Sequence, residues 1–297
     1  MKVLVLGARG QLGQCLHDQL ASTLHEVVYT TRQQIDVCDF ESTKYEIAKI
    51  SPDVIINATA YTAVDHAEQD PETASLINHL AVTNLADISN LVDCYLIHIS
   101  TDYVFDGASD APYTESSDTN PQSVYGYTKL MGELSIRSSE CKFLIIRTSW
   151  VFSEYGDNFL KTMLRLGAER KELSVVGDQI GCPTYAQDLA KAIVAVLPYL
   201  RDNKLASKLY HFSGNHCCSW FEFAEAIFAE ARTVGLKTPA LVRSIASSDF
   251  PTIAKRPIYS VMDGKALYDD FGIEQSDWQL GVHAAVSKML TEKKNIS

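Results

Sequence analysis

A tyrosine stands four residues before a lysine in Tyr125-Gly126-Tyr127-Thr128-Lys129, with Ser100-Thr101-Asp102-Tyr103 upstream. On a helix, positions i and i+4 share a face. Tyr125 and Lys129 are therefore expected to point the same way, with the ammonium stabilising a tyrosinate and lowering the phenol's pKa. That is one way for a tyrosine to exchange a proton near neutral pH. Tyr127 stands two residues from Lys129, off that face, and is expected at the surface. Such a pair arises often by chance, so its meaning rests on the elements that hold it.

Those elements alternate. Short runs rich in Val, Ile and Leu at 3–6, 27–29, 54–56, 96–99 and 143–146 read as strands buried on both faces. Helical patterns fall at 12–20, 42–50 and 72–91, and a further one begins near 123 with the Tyr/Lys pair on it. This order predicts an α/β fold, a doubly wound parallel sheet of Rossmann type. After Trp150 the pattern loosens, with helices expected at 158–168, 186–196, 220–234 and 278–290 and strands at 173–176 and 209–212. We read residues 1–150 as a dinucleotide-binding domain, joined by late elements from about 184–212. Residues 151–297 are then mainly a smaller, interleaved C-terminal substrate lobe.

The first strand runs into Gly7-Ala8-Arg9-Gly10-Gln11-Leu12-Gly13, which opens the first helix. Small residues there let a backbone approach a pyrophosphate, and the helix N-terminus supplies amide donors. The spacing is Gly-x-x-Gly-x-x-Gly, and its place between strand and helix favours a cofactor loop over a mere turn. The second strand ends in Thr31-Arg32, where many NAD sites carry an acidic residue. A cation there favours a 2′-phosphate and hence NADPH, with NADH left open. Asp36 and Val37 are placed to meet the adenine edge. Asn57-Ala58-Thr59-Ala60 ends the third strand with small side chains across which a cofactor could lie.

Bulk properties exclude several classes. In 297 residues, 46% hydrophobic, Lys plus Arg number 26 against 37 Asp plus Glu, a formal charge of −11. An acidic chain without a basic stripe is a poor nucleic-acid or membrane-surface binder. Seven cysteines without regular spacing read as buried small hydrophobes in a reducing compartment. No apolar run reaches membrane-spanning length, and the N-terminal apolar run is needed as a strand. A cytoplasmic location is expected. The eight histidines show no metal-ligand spacing, and no metal site is expected.

The chain resembles the extended short-chain dehydrogenase/reductase superfamily, and within it the enzymes that reduce dTDP-linked keto-sugars. The resemblance rests on motifs in order between residues 7 and 260. After the glycine loop come Asn57 to Asp65, Ile77-Asn78, and Ser100 to Phe105. Arg147 to Phe152, Asp178 to Thr184, and Arg256-Pro257 with Ser260 follow. It implies NADPH-dependent reduction of the C4 keto group of dTDP-4-dehydro-6-deoxy-L-mannose to dTDP-L-rhamnose. Tyr125 would protonate the C4 oxygen, Thr101 would hydrogen-bond it, and Lys129 would hold the nicotinamide ribose and tune the tyrosine. Asp102, Trp150 and Arg256 would meet the sugar nucleotide, while Ala60, Tyr61 and Thr62 match cofactor-contacting positions. Asn78 would order a backbone kink and a water for proton relay. Some relatives form metal-bridged dimers through a glutamate where this chain has Gln187, and Tyr61 replaces a histidine seen in others. A homodimer is open; a metal-dependent one is not expected. Reduction of another nucleotide-linked keto-sugar, or a non-catalytic NADP-binding regulatory subunit, stay open as alternatives.

Overall fold

A computed structural model describes residues 1–201 and 207–296. Its centre is a six-stranded, all-parallel sheet made of β1 (Lys2–Leu6), β2 (Glu26–Thr30), β3 (Val54–Asn57), β4 (Tyr95–Thr101), β5 (Lys142–Thr148) and β6 (Lys208–His211). The strands lie in the order β6-β5-β4-β3-β1-β2. Chain direction across the sheet reverses at β1, and the carboxyl ends there form the crevice where open α/β sheets bind ligands.

Alternation along the strands builds two cores at once. Val3 and Val5 face one layer, packed against Leu12 and Leu16 of α1 (Gln11–Leu20) and against Leu189, Ile193 and Leu197 of the helix Ala186–Arg201. Leu4 and Leu6 face the other, packed with Ile47 of the helix Phe40–Ile50 and with Val82, Leu85 and Ile88 of the helix Ala81–Leu91. Both faces are dry, which is why these strands read as unbroken apolar runs.

The pattern at 72–91 reads as one helix but is three pieces: α-helix Pro71–Ser75, a π-helical turn Leu76–Leu80, then α-helix Ala81–Leu91. The extra residue of the π-turn carries Asn78, where a kink was expected. Against it packs the helix Val124–Ser138. Ser123 caps that helix by accepting from the Gly126 amide, and Glu68 Oε1 accepts from Val124 N at 2.8 Å. The final segments gather in a third core of Phe152, Leu160, Phe223, Ile227, Phe228 and Trp278. There Glu172–Val176 pairs with Leu241–Ile245, and Ile180–Gly181 with Cys218–Ser219. The two-residue strands and Leu241–Ile245 were not legible in the sequence, because runs so short or so exposed show no clear period. No helix among the described residues is long and apolar enough to cross a membrane.

One charged pair lies inside this frame. Arg147 on β5 donates to Glu133 through Nε at 2.9 Å and Nη2 at 2.7 Å, with both side chains essentially inaccessible. The Arg147 guanidinium also lies 5.1 Å from the Phe105 ring centre. Removing one partner strands the other charge in the interior, so Glu133→Ala is expected to lower stability by about 3–5 kcal/mol. Urea unfolding of variant and parent checks this; a loss under about 1 kcal/mol would mean water reaches Arg147.

Candidate active site

The glycine loop is shaped by two different needs. Gly7 has φ +83° and lies so close to the Ala58 carbonyl that a Cβ would sit 2.9 Å from its oxygen. A Cβ at Gly13 would collide with the Gly7 carbonyl oxygen and the Ala8 backbone. Both glycines serve the packing of loop on helix and strand. Gly10 does not: its φ is −70°, and a Cβ there would meet only the Gly7 oxygen, at 3.4 Å. The space beside it is open, and the first turn of α1 that it precedes has no side-chain cap. Its amides are thus left for an anion, as a pyrophosphate requires.

A cavity of about 500 Å³ opens beside this turn, lined by Gly7, Arg9, Gly10, Thr31, Arg32, Gln33 and Asp36. Arg32 is exposed and reaches Asp36 Oδ2 at 3.1 Å, and Asp36 also accepts from Cys38 N. Arg9, to which the sequence assigned no role, adds a second cation at the same wall. This wall fits a dinucleotide phosphate. The other expected contacts divide. Leu12 and Val37 are core side chains. Gln11 accepts from Ser153 Oγ and Asn158 Nδ2, tying the loop to the C-terminal lobe. Ala60 and Thr62 are exposed past the end of β3, and Tyr61 is half-buried there. Both backbone groups of Tyr61 bind the Asn78 side chain, at 2.9 and 3.1 Å. Asn78 Nδ2 also donates to Thr128 Oγ1, whose hydroxyl reaches the Tyr125 carbonyl. The π-turn therefore clamps the cofactor-side loop to the helix that carries Tyr125.

Thr101 ends β4, and Asp102 follows in a short 3-10 turn. The Thr101 hydroxyl donates to Asp102 Oδ1 at 3.0 Å. Asp102 is buried, and its Oδ2 has no hydrogen-bond partner. Desolvation raises its carboxyl to about 6, against the opposing pull of Ser260 and Thr101. Tyr125 packs edge-on against Tyr103, ring centres 5.5 Å apart. Its phenol is pushed up by desolvation, only partly offset by Thr101, with the charge on Asp102 acting in the same direction as burial. The expected lowering by Lys129 is not found. The lysine shares the helical face but is fully buried, with Nζ donating to the Ile99 carbonyl at 2.6 Å and facing His98 Nε2 at 3.2 Å. Burial pushes it down to about 8, with Glu133 opposing. Tyr127 is exposed as expected.

Toward the lobe, Trp150 holds a left-handed backbone, φ +48°, which is costly for a bulky residue. Its ring stacks on Trp220 at 3.5 Å and 7° and lies over Gly181, where a Cβ would come within 2.6 Å of the indole. Arg256 pairs with Asp65 at 2.7 Å and reaches the Tyr103 hydroxyl at 3.4 Å. Trp220 was missed because only the fold brings it to Trp150; His98 was visible as a polar residue inside an apolar strand. At the far side of α1, Gln187 donates to Asp18 at 2.7 Å and to Glu154 at 3.2 Å, and Lys288 pairs with both acids.

A family profile described as the RmlD substrate binding domain matches residues 1–291. The dTDP-4-dehydrorhamnose reductase of Aggregatibacter actinomycetemcomitans is 41% identical over 281 residues, 94% of this chain and 96% of that one. The chain belongs to the dTDP-4-dehydrorhamnose reductase family. Among solved structures, the reductase of Clostridium acetobutylicum superposes with a TM-score of 0.91 at 36% identity, covering 98% of this chain and 100% of that one. The Bacillus anthracis reductase, solved with NADP, gives 0.88 at 36%, covering 97% and 99%. Membership in the superfamily expected from the sequence is thus established, in its dTDP-4-dehydrorhamnose reductase branch.

Two predictions follow from the site's packing. Gly10→Ala is expected to fold within about 0.5 kcal/mol of the parent yet lose dinucleotide affinity, whereas Gly13→Ala should cost about 1–3 kcal/mol of stability. Chemical unfolding and dinucleotide titration separate the two; equal behaviour would mean that Gly10 is structural. Asp102 titrates higher in the folded chain, about 6 against a usual 3.8, so the native state loses stability as pH rises through that window. Asp102→Asn removes that penalty. The variant is expected to gain roughly 2–3 kcal/mol over the parent at pH 7 and nothing below about pH 3.5. Unfolding at the two pH values checks the sign.

Proposed function

We propose that this chain is the cytoplasmic reductase that converts dTDP-4-dehydro-6-deoxy-L-mannose to dTDP-L-rhamnose with NADPH, Tyr125 being the proton donor. The observation that carries the site assignment is Asp102 Oδ2, buried without a partner beside Thr101 and Tyr125. A buried acceptor without a partner is costly, and a sugar hydroxyl would satisfy it. NADPH bound along the glycine loop supplies the hydride.

The protein's part is orientation, the proton and stabilisation of charge. Tyr125 keeps its proton at rest because burial disfavours the phenolate. The oxygen of an incoming ketone becomes alkoxide-like as hydride reaches C4, and an alkoxide is a stronger base than a phenolate. The phenol then gives up its proton to that oxygen, while the Thr101 hydroxyl, turning away from Asp102, donates a second hydrogen bond to it. Lys129, one helical turn away, stabilises the charge left on Tyr125. Arg9 and Arg32 line the wall suited to the cofactor's phosphates, which supports NADPH over NADH. Residues 1–150 with Ala186–Arg201 and Lys208–His211 carry the cofactor, and the rest of the C-terminal half carries the sugar nucleotide.

Absorbance of reduced nicotinamide, followed with purified protein and the keto-sugar nucleotide, tests the reaction. Tyr125→Phe is expected to lower kcat by about 10²–10⁴-fold with NADPH binding retained. Turnover equal to the parent would remove Tyr125 as donor. Absence of turnover in the folded parent would remove the reaction itself and favour a cofactor-binding regulatory role.

A further inference from the structure

A hydrogen-bond chain inside the sheet constrains the proton on Lys129. Asn57 Oδ1 accepts from the Thr59 backbone N–H at 3.0 Å and from the Thr59 hydroxyl at 2.6 Å. A backbone N–H only donates, so the orientation of the Asn57 amide is settled and its Nδ2 is a donor toward His98 Nδ1 at 3.1 Å. His98 is wholly buried, and its pKa is held well below the usual value by desolvation and by Lys129, so the ring is neutral. With Nδ1 accepting, the ring proton is on Nε2. That nitrogen faces Lys129 Nζ at 3.2 Å, and Nζ donates to Ile99 O at 2.6 Å.

An ammonium has no lone pair. Opposite Nε2–H it would set donor against donor in the dry interior. An uncharged amine accepts from Nε2–H and still donates to the Ile99 carbonyl. Exchanging the tautomer does not help, because the conflict then moves to Asn57. One neutral imidazole cannot accept from both neighbours.

We propose that His98, its tautomer set by Asn57, is a positioning residue that favours the uncharged amine of Lys129 in the cofactor-free protein, holding the lysine while it is neutral and releasing it for work beside Tyr125 when it is protonated. This role rests on the proposed reduction, in which the lysine acts as a cation. The other groups around the lysine do not cancel this bias toward the amine. Glu133 lies one turn along the same helix, but its carboxylate is bound twice by Arg147 from β5, and His211 faces Arg147 from β6 at 3.5 Å. Tyr125 retains its proton, and Asp102 lies on the tyrosine's side of the site. Burial of Lys129, which pushes it down to about 8, acts in the same direction.

Two measurements test this. In cofactor-free protein labelled with ¹⁵N-histidine, NMR is expected to show His98 as the neutral Nε2–H tautomer from about pH 5 to 9. An Nδ1–H tautomer or an imidazolium overturns the proposal, whatever the protein catalyses. In His98→Gln the amide oxygen can accept from an ammonium, so Lys129 is expected to hold its proton more tightly. The alkaline limb of kcat/KM should move up by about one pH unit while the acid limb stays. A folded variant with the parent's profile overturns the proposal. If the parent turns over no keto-sugar nucleotide, the reduction fails as a function, and the tautomer still decides the role of His98.

Discussion

The helix Val124–Ser138 approaches protein backbone at two points where any side chain would collide. A Cβ on Gly126 would run into the Tyr103 carbonyl, and one on Gly132 into the Asn78 carbonyl. Between these contacts lie Tyr125's neighbourhood and Lys129, so the depth of the helix sets where phenol and amine stand relative to the end of β4. The π-turn Leu76–Leu80 supplies the second contact, and Asn78 within it binds the Tyr61 peptide and Thr128. The loop after β3, the π-turn and the helix Val124–Ser138 are thus tied into one closely packed unit. Interiors packed at this density relax little when a methyl is added.

That rigidity allows ionisable groups to be kept where they are costly. Asp102, Lys129, His98, Arg147 and Glu133 are all buried near the carboxyl ends of β4 and β5. Only Glu133 and Arg147 are matched as a bidentate pair. Asp102 keeps an unsatisfied oxygen and Lys129 a depressed proton affinity. Interiors leave few buried polar atoms unsatisfied, so this imbalance sets the surroundings of Asp102 and Lys129 apart from the rest of the core.

How much of this the sequence disclosed follows from the range of each interaction. The parallel sheet was legible because strands buried on both faces are written as local apolar runs, and the glycine loop because strand, turn and helix adjoin in the chain. The Tyr125/Lys129 spacing was legible as a shared helical face. Its consequence was misjudged: a shared face says nothing of what lies opposite, and His98, thirty-one residues upstream, takes the lysine's attention. Trp220 under Trp150, Arg9 beside Arg32, and the pairing of Arg256 with Asp65 depend on contacts set only by the folded chain. Val37 and Leu12 place their side chains in the cores, so any contact they make with a cofactor would be through their backbone.

The direction of the Tyr125 shift bears on which way the chemistry runs. A tyrosine whose pKa is lowered by an adjacent ammonium is ready to take a proton from an alcohol. One raised by burial holds its proton until a stronger base forms beside it. In reduction that base is the oxygen of the ketone as it gains negative charge, so a high phenol pKa is no obstacle to the forward step. It becomes one only if Tyr125 is left anionic without a counter-charge. Thr101 offsets burial in part, and Lys129, one turn along the same helical face, is a group that can become a cation. For the proposed reduction, a lysine turned to His98 as an amine would have to gain a proton and move a short way to stand as a cation beside Tyr125.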